Sequence, residues 1–201
     1  MLFDPPTFPE KWNKDIRLLP HDRLLRRTVI PLIPAAVKPN HITVLRLLLI
    51  PVVLWLLARG DYAWGSFLFL FLGFTDALDG SLARVRGQIT EWGILCDPVV
   101  DKLFIGSVLA LIVLQHINLE LGLALLGAEA VIIFFGWRRQ RRGLIEPANF
   151  WGKIKMVSEV VGIMLLLVAL WLKVNMLADF SVSTLALALV FAIVSILVRI
   201  K

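Results

Sequence analysis

The sequence predicts an all-α polytopic membrane protein of six transmembrane helices, preceded by an amphipathic helix at the membrane interface. Hydrophobic residues make up 59% of the 201 residues, and the mean hydropathy of +0.83 is above that of soluble domains. Six hydrophobic runs, each near the ~20 residues that a spanning helix needs, occupy residues 42–58, 62–83, 97–115, 119–137, 154–173 and 180–198. Because the links are short, we expect one membrane domain, residues 39–201, after a juxtamembrane segment, residues 1–38.

The juxtamembrane segment combines basic residues with Leu and Trp. Between Lys11 and Arg27 the basic residues alternate with apolar ones, which favours an interfacial helix on an anionic leaflet. Three early prolines, Pro5, Pro6 and Pro9, leave a solvated basic tail as the alternative.

Lys and Arg are distributed unevenly around the six runs. Only Arg59 and Lys173 of the 21 lie in links on one side, so the positive-inside rule predicts cytoplasmic termini. The net charge is +6, and its basic residues lie between the hydrophobic runs. This placement favours contact of the basic residues with membrane lipids over binding to nucleic acid. With no targeting extension in the sequence, we expect a bacterial inner (plasma) membrane protein.

Four aspartates lie at the predicted cytoplasmic ends of the second and third runs. Helical spacing places Asp76 and Asp79 on one face, and Asp97 and Asp101 on another. Pro98 indicates a helix that begins with Asp97 as its N-cap, although a proline inside a longer helix would give the same sequence. Carboxylates at a membrane boundary need cations, and an all-oxygen cluster suits Mg²⁺ or Mn²⁺.

The complete pattern in residues 76–101 is D-x2-D-G-x2-A-R-x8-G-x3-D-x3-D, which resembles the signature of the CDP-alcohol phosphotransferase family of membrane enzymes. Upstream, Pro39-Asn40-x2-Thr43-x2-Arg46 is similar to a P-N-x2-T-x2-R pattern of that family. The D-P-x2-D-K pattern of residues 97–102 is similar to the pattern of one branch of that family, the phosphatidylglycerophosphate and cardiolipin synthases.

The resemblance implies a homodimeric enzyme that transfers a phosphatidyl group from CDP-diacylglycerol to an alcohol with release of CMP, using Mg²⁺ or Mn²⁺. By the same resemblance Asp76, Asp79, Asp97 and Asp101 are metal ligands, and Asp101 is also the general base for the acceptor hydroxyl. The implied contacts to the CDP donor are Asn40, Thr43, Gly80, Ala83 and Arg84, with Arg46 a weaker candidate.

Several of these residues also have a structural interpretation. Gly80 and Gly93 would allow close helix packing, and Arg84 would serve as a basic flank at the membrane boundary. Helix packing does not require four carboxylates at fixed spacing, so the four aspartates favour the interpretation as a metal site.

The acceptor is predicted from basic residues beside the fourth and fifth runs. Arg138, Arg139, Lys153 and Lys155 would bind a phosphate, with glycerol 3-phosphate the preferred acceptor; topology setting and lipid headgroup contact are the alternatives for the arginines. The sequence departs from the phosphatidylglycerophosphate synthase pattern at Ala128, where that pattern has Arg, at Met156, where it has Thr, and at Glu159, where it has Gln.

Two glutamates, Glu129 and Glu159, lie within hydrophobic runs, and we expect each to partner the basic residues or the other glutamate. A shared role of the pair in acceptor recognition is a further hypothesis.

Other functions fit parts of the pattern. Within the family, the alternatives are transfer to phosphatidylglycerol, as in cardiolipin synthases, or transfer from a soluble CDP-alcohol to diacylglycerol. Outside it, a divalent-cation transporter would also use membrane carboxylates, but it would need them near the middle of the membrane. A catalytically silent scaffold would not need Asp101.

Overall fold

The computed structural model of the chain describes residues 20–34, 36–140 and 150–200, and the regular structure of these residues is helical. The helices are α1 (Pro20–Thr28), α2 (Pro39–Ala58), α3 (Tyr62–Arg86), α4 (Glu91–Val108), α5 (Leu119–Gln140), α6 (Phe150–Leu172) and α7 (Asn175–Ile200). A 3-10 turn, Ile30–Leu32, follows α1, and α4 continues through a π-helical turn, Leu109–Val113, to His116. The predicted all-α class is confirmed.

Five helices of the described residues are long and apolar enough to cross a membrane, so this is an integral membrane protein. Their segments are Pro39–Ala58, Tyr62–Arg86, Leu119–Gly136, Phe150–Leu172 and Asn175–Val198. Helix α4, the counterpart of the third predicted run, carries Glu91, Asp97, Asp101 and Lys102 within 18 residues. Because of these charges α4 is not one of the five helices, and the count of six transmembrane helices stays a prediction.

Helix α4 begins earlier than its proline suggests. It begins at Glu91, and Pro98 lies in its interior, so the interpretation of Asp97 as N-cap is wrong and the proline within a longer helix is correct. The Oγ1 of Thr90 instead accepts a hydrogen bond from the backbone N–H of Gly93 at 3.0 Å, as an N-cap side chain does.

Helix α1 is the described part of the predicted interfacial segment; residues 1–19 lie outside the described residues. Its Leu25 is buried, while Arg23, Arg26 and Arg27 are exposed, as an amphipathic helix requires. Leu25 belongs to a hydrophobic cluster with Ile30, Ile42, Leu78 and Leu82. The contact fixes α1 against α2 and α3, and its position at a membrane surface stays a prediction.

The chain forms two compact units. The first contains the described residues up to Val53 and Leu68–Leu103, and the second contains Leu54–Phe67 and the described residues from Phe104 onward. All four aspartates of the motif lie in the first unit, whereas α5, α6 and α7 lie in the second.

Helices α6 and α7 pack closely in the second unit at Gly162. The Ser181 hydroxyl donates a hydrogen bond to the Gly162 carbonyl at 2.8 Å, and a Cβ at Gly162 would lie 2.7 Å from Cγ of the buried Leu185. Glycine therefore permits this approach of two helices.

We expect Gly162→Ala to lower the free energy of unfolding by about 1–3 kcal/mol, because the added methyl group forces Leu185 from its packed position. Thermal unfolding in detergent micelles measures the effect. Gly127→Ala on α5 is the matched control, since a Cβ there meets nothing within 4 Å. Equal unfolding temperatures of the two variants would contradict this description of the α6 and α7 contact.

Candidate functional site

Thr43 of α2 joins two of the predicted metal ligands. Its Oγ1 lies 3.1 Å from Oδ2 of Asp79 on α3 and 2.9 Å from Oδ1 of Asp97 on α4. A hydroxyl has a single proton, so Thr43 donates to one carboxylate at a time. Thr43 is 1% exposed and Asp79 is 3% exposed. Helices α2, α3 and α4 thus bring a buried hydroxyl, the buried carboxylate of Asp79 and the half-buried carboxylate of Asp97 together in the first unit.

Arg46, one turn after Thr43, binds the remaining carboxylate of the first pair. Its Nη1 forms an ion pair with Asp76 and its Nη2 forms one with Asp79. Arg46 is 1% exposed, and its Nε is a buried atom without a hydrogen-bond partner among the described residues. Buried carboxylates are stable only when a cation offsets their charge, and Arg46 supplies that cation.

The cluster formed by Asp76, Asp79 and Asp97 has the donor chemistry of a divalent metal site. Carboxylate oxygens are the ligands that Mg²⁺ and Mn²⁺ prefer, and Thr43 and Arg46 link all three side chains. In the described part of the chain, no three Asp, Glu, His or Cys side chains already surround one metal position. A metal ion at this site would need carboxylate oxygens of Asp76 and Asp79 that are paired with Arg46. The three aspartates therefore fit a divalent ion that competes with Arg46 for these oxygens.

Asp101 follows Asp97 by one helical turn on α4 and is half-buried. Residues four apart share a helix face, so Asp101 lies on the side of α4 that carries Asp97. Its assignment to the metal site rests on this register.

Asn40, at the start of α2, lies beside the cluster. The Thr90 hydroxyl donates a hydrogen bond to Asn40 Oδ1 at 3.0 Å. A Cβ at Gly93 would lie 3.1 Å from Thr90 Oγ1, 3.4 Å from Asn40 Oδ1 and 3.6 Å from Asp97 Oδ2. The glycine of the motif therefore gives Asn40 room next to Asp97.

Arg84, the arginine of the motif, is bound by an acid that the sequence pattern did not indicate. Its Nε and Nη2 donate to Oδ2 and Oδ1 of Asp22 on α1, both at 2.8 Å, and the Ser81 hydroxyl donates to Oδ1 at 2.6 Å. A Cβ at Gly80 would lie 3.3 Å from Arg84 Nη1, so Gly80 leaves room for the guanidinium along α3. Ala83, half-buried, is the other small residue of the motif.

The residues predicted to bind the acceptor lie in the second unit and differ in exposure. Lys155 is 5% exposed and forms ion pairs with Glu129 and with Glu159, the latter at 2.7 Å. The expectation that these glutamates partner a basic residue is confirmed. Lys153 and Arg138 are exposed, whereas the side chain of Arg139 lies outside the described residues. The structure therefore does not present Lys153 and Lys155 on one exposed surface.

Sequence reasoning gave Arg46 little weight and missed Asp22. For Arg46 the signal was its position three residues after Thr43, because residues 40, 43 and 46 lie along one side of α2. For Asp22 the signal was weaker: it is the only acidic residue of α1, in a helix with three arginines.

Comparisons with known proteins agree with the motif. A family model described as CDP-alcohol phosphatidyltransferase matches residues 36–197. A CDP-diacylglycerol–glycerol-3-phosphate 3-phosphatidyltransferase of Pseudomonas fluorescens is 37% identical over 64% of this chain and 71% of its own length. A CMP-forming cardiolipin synthase of Streptomyces coelicolor is 34% identical over 65% of each chain. A probable phosphatidylglycerophosphate synthase of Mycobacterium tuberculosis is 35% identical over 62% of each chain.

A solved structure is a weaker match. The phosphatidylinositol phosphate synthase of Mycobacterium tuberculosis with CDP-DAG bound has a TM-score of 0.48 and 24% identity, over 86% of this chain and 92% of that one. Family membership rests instead on the family model and on the Pseudomonas fluorescens relative, of whose length the match covers more than two thirds. On that basis the chain belongs to the CDP-alcohol phosphatidyltransferase family.

Proposed function

We propose that this enzyme of phospholipid synthesis transfers a phosphatidyl group from CDP-diacylglycerol to an alcohol and releases CMP. The main support for this proposal is that Thr43 and Arg46 join Asp76, Asp79 and Asp97 into one cluster. The relatives named for transfer from CDP-diacylglycerol support the donor. Family membership favours this transferase over a cation transporter.

Members of the family use divalent metal ions, and we infer Mg²⁺ or Mn²⁺ for this chain from its all-carboxylate ligands. Asp76, Asp79 and Asp97 would hold the ion, with Asp101 as a further ligand. In this position the carboxylates would hold an ion that, when bound, would supply positive charge to offset that of the donor diphosphate and of the CMP leaving group.

The reaction is a displacement at the phosphatidyl phosphorus. The acceptor oxygen forms a new bond to that phosphorus, the bond to the CMP oxygen breaks, and CMP leaves with the electron pair. Asp101 takes the proton of the acceptor hydroxyl as general base. Arg84 binds the diphosphate with its planar guanidinium.

Small and polar residues complete the donor site. Asn40 and Thr43 hold the CMP part of the donor, since both lie beside Asp97 in the first unit. Gly80 and Ala83 leave space on α3 for the nucleotide to approach.

Glycerol 3-phosphate is the acceptor that we favour, because the Pseudomonas fluorescens relative is named for it. The exposed basic residues Lys153 and Arg138 would attract its phosphate, whereas Lys155 is held by two glutamates. Phosphatidylglycerol is the second candidate, since the Streptomyces coelicolor relative is a cardiolipin synthase.

Incubation of the purified protein with CDP-diacylglycerol, Mn²⁺ and a panel of alcohols, with CMP release as the readout, tests the donor and the acceptor together. We expect CMP release with glycerol 3-phosphate; release with phosphatidylglycerol alone would favour the second acceptor. No release with any alcohol would contradict the proposed function.

The charge distribution of the sequence and its family membership support a membrane location and an orientation of the enzyme. The distribution of Lys and Arg supports cytoplasmic termini and a cytoplasmic active site, and we infer a bacterial inner membrane. A homodimer is inferred from the family resemblance.

We expect Asp101→Asn to reduce the rate of CMP release by about 100- to 10,000-fold, because an amide cannot accept the proton of the acceptor. Asp97→Asn should reduce the rate similarly, since it removes a ligand charge. Asp61→Asn, the same change in the link before α3, is the control; its Oδ1 accepts the Trp64 N–H at 3.3 Å, which an amide oxygen also does. Turnover of folded Asp101→Asn at the rate of this control would refute the role of Asp101.

We expect Arg46→Gln to bind Mn²⁺ at least about tenfold more tightly than the unchanged protein, because a guanidinium near the ion repels it by Coulomb's law. The same variant should unfold at a lower temperature without metal, since Asp76 and Asp79 lose their cation. Titration calorimetry with Mn²⁺ and thermal unfolding measure the two effects. Weaker Mn²⁺ binding by the variant would show that Arg46 supports the ion instead of competing with it.

A further inference from the structure

We propose that Asp22 of α1 is a positioning residue for Arg84, which makes the juxtamembrane helix a working part of the donor site. The inference rests on the proposed function, in which Arg84 contacts the diphosphate of CDP-diacylglycerol. No motif of the sequence includes Asp22, and its role is inferred from three hydrogen bonds and its complete burial.

The two hydrogen bonds from Arg84 fix the orientation of its guanidinium. Nε and Nη2 lie on one edge of the planar group, and each donates to a different oxygen of Asp22 at 2.8 Å. A paired contact of this kind sets both the position and the plane of the arginine head group. Nη1 lies on the opposite side of the group, over Gly80, 3.3 Å from where a Cβ would stand.

Asp22 is itself held firmly. It is 0% exposed, and Oδ1 also accepts the Ser81 hydroxyl at 2.6 Å, so both carboxylate oxygens have partners on α3. A buried carboxylate without its cation would be costly, which keeps Asp22 and Arg84 together.

Helix α1 is anchored by contacts that do not involve Arg84. Leu25 is buried in the cluster with Ile42 and Leu78, three residues after Asp22 on the same helix. Arg86 donates to the carbonyl oxygens of Ile33 at 2.6 Å and Val37 at 3.0 Å, which ties the α1–α2 link to the end of α3. Asp22 is therefore placed by the fold, and Arg84 is oriented by Asp22.

Orientation before binding affects affinity. A free arginine side chain has several rotatable bonds, and fixing them when the donor binds costs free energy. Because Asp22 fixes Arg84 in advance, that cost is not incurred when CDP-diacylglycerol binds. Loss of Asp22 should then raise the KM for the donor more than it changes kcat.

The test is steady-state CMP release as a function of CDP-diacylglycerol concentration, with Mn²⁺ and a saturating alcohol. We expect Asp22→Asn to raise the KM for the donor by about tenfold with kcat changed less than about threefold, the result of losing a charge-assisted pair that orients Arg84. Arg23→Gln, the next residue of α1, is exposed and should leave both constants unchanged.

The same measurement in an Arg84→Gln background separates positioning from general stability. If Asp22 acts through Arg84, adding Asp22→Asn to Arg84→Gln should not raise the donor KM further. Only the double variant Asp22→Asn/Arg84→Gln removes both charges of the pair, so it is the variant expected to fold if either single change does not. A donor KM of the double variant equal to that of the unchanged protein would also overturn the inference.

An unchanged KM in folded Asp22→Asn, or an equal rise in both backgrounds, would overturn the inference. Absence of CMP release from CDP-diacylglycerol by the unchanged protein would instead refute the proposed function, so the two failures are distinguishable.

Discussion

The pairing of buried carboxylates with cations is the constraint on which the first unit depends. Asp79 is buried together with Arg46, which also binds Asp76, and Thr43 connects Asp79 to Asp97. Each acid would be costly at a membrane boundary without such partners. The partners come from α2, so the position of α2 relative to α3 and α4 is set by the charges of the site as well as by apolar packing.

A second pairing, of Asp22 with Arg84, follows the same logic at the cytoplasmic end predicted for α3. Here the cation belongs to the motif and the acid belongs to α1. The second unit repeats the arrangement with Lys155 between Glu129 and Glu159. In each of the three cases at least one ion pair joins two helices, which makes helix position depend on ionisable residues. Glu159 instead pairs with Lys155 within the same helix, α6.

Much of this was predictable from the sequence, because hydrophobic length and charge distribution determine membrane helices and because the spacing of Asp76, Asp79 and Asp97 places them on helix faces. Partner choice was not predictable. Nothing in the spacing showed that Arg46 would bind two aspartates, or that Asp22, far away in sequence, would bind Arg84. The start of α4 predicted from Pro98 was wrong, since a proline is compatible with both a helix start and a helix interior.

We infer that a divalent ion binds among Asp76, Asp79 and Asp97 in competition with Arg46. Anomalous diffraction from crystals grown with Mn²⁺ and CDP tests it most directly, because the manganese signal locates the ion independently of the protein atoms. We expect a peak within coordination distance of Asp79 and Asp97 oxygens, with Arg46 no longer bound to both Asp76 and Asp79. A manganese peak away from these carboxylates, or both Arg46 ion pairs intact beside a bound ion, would contradict it.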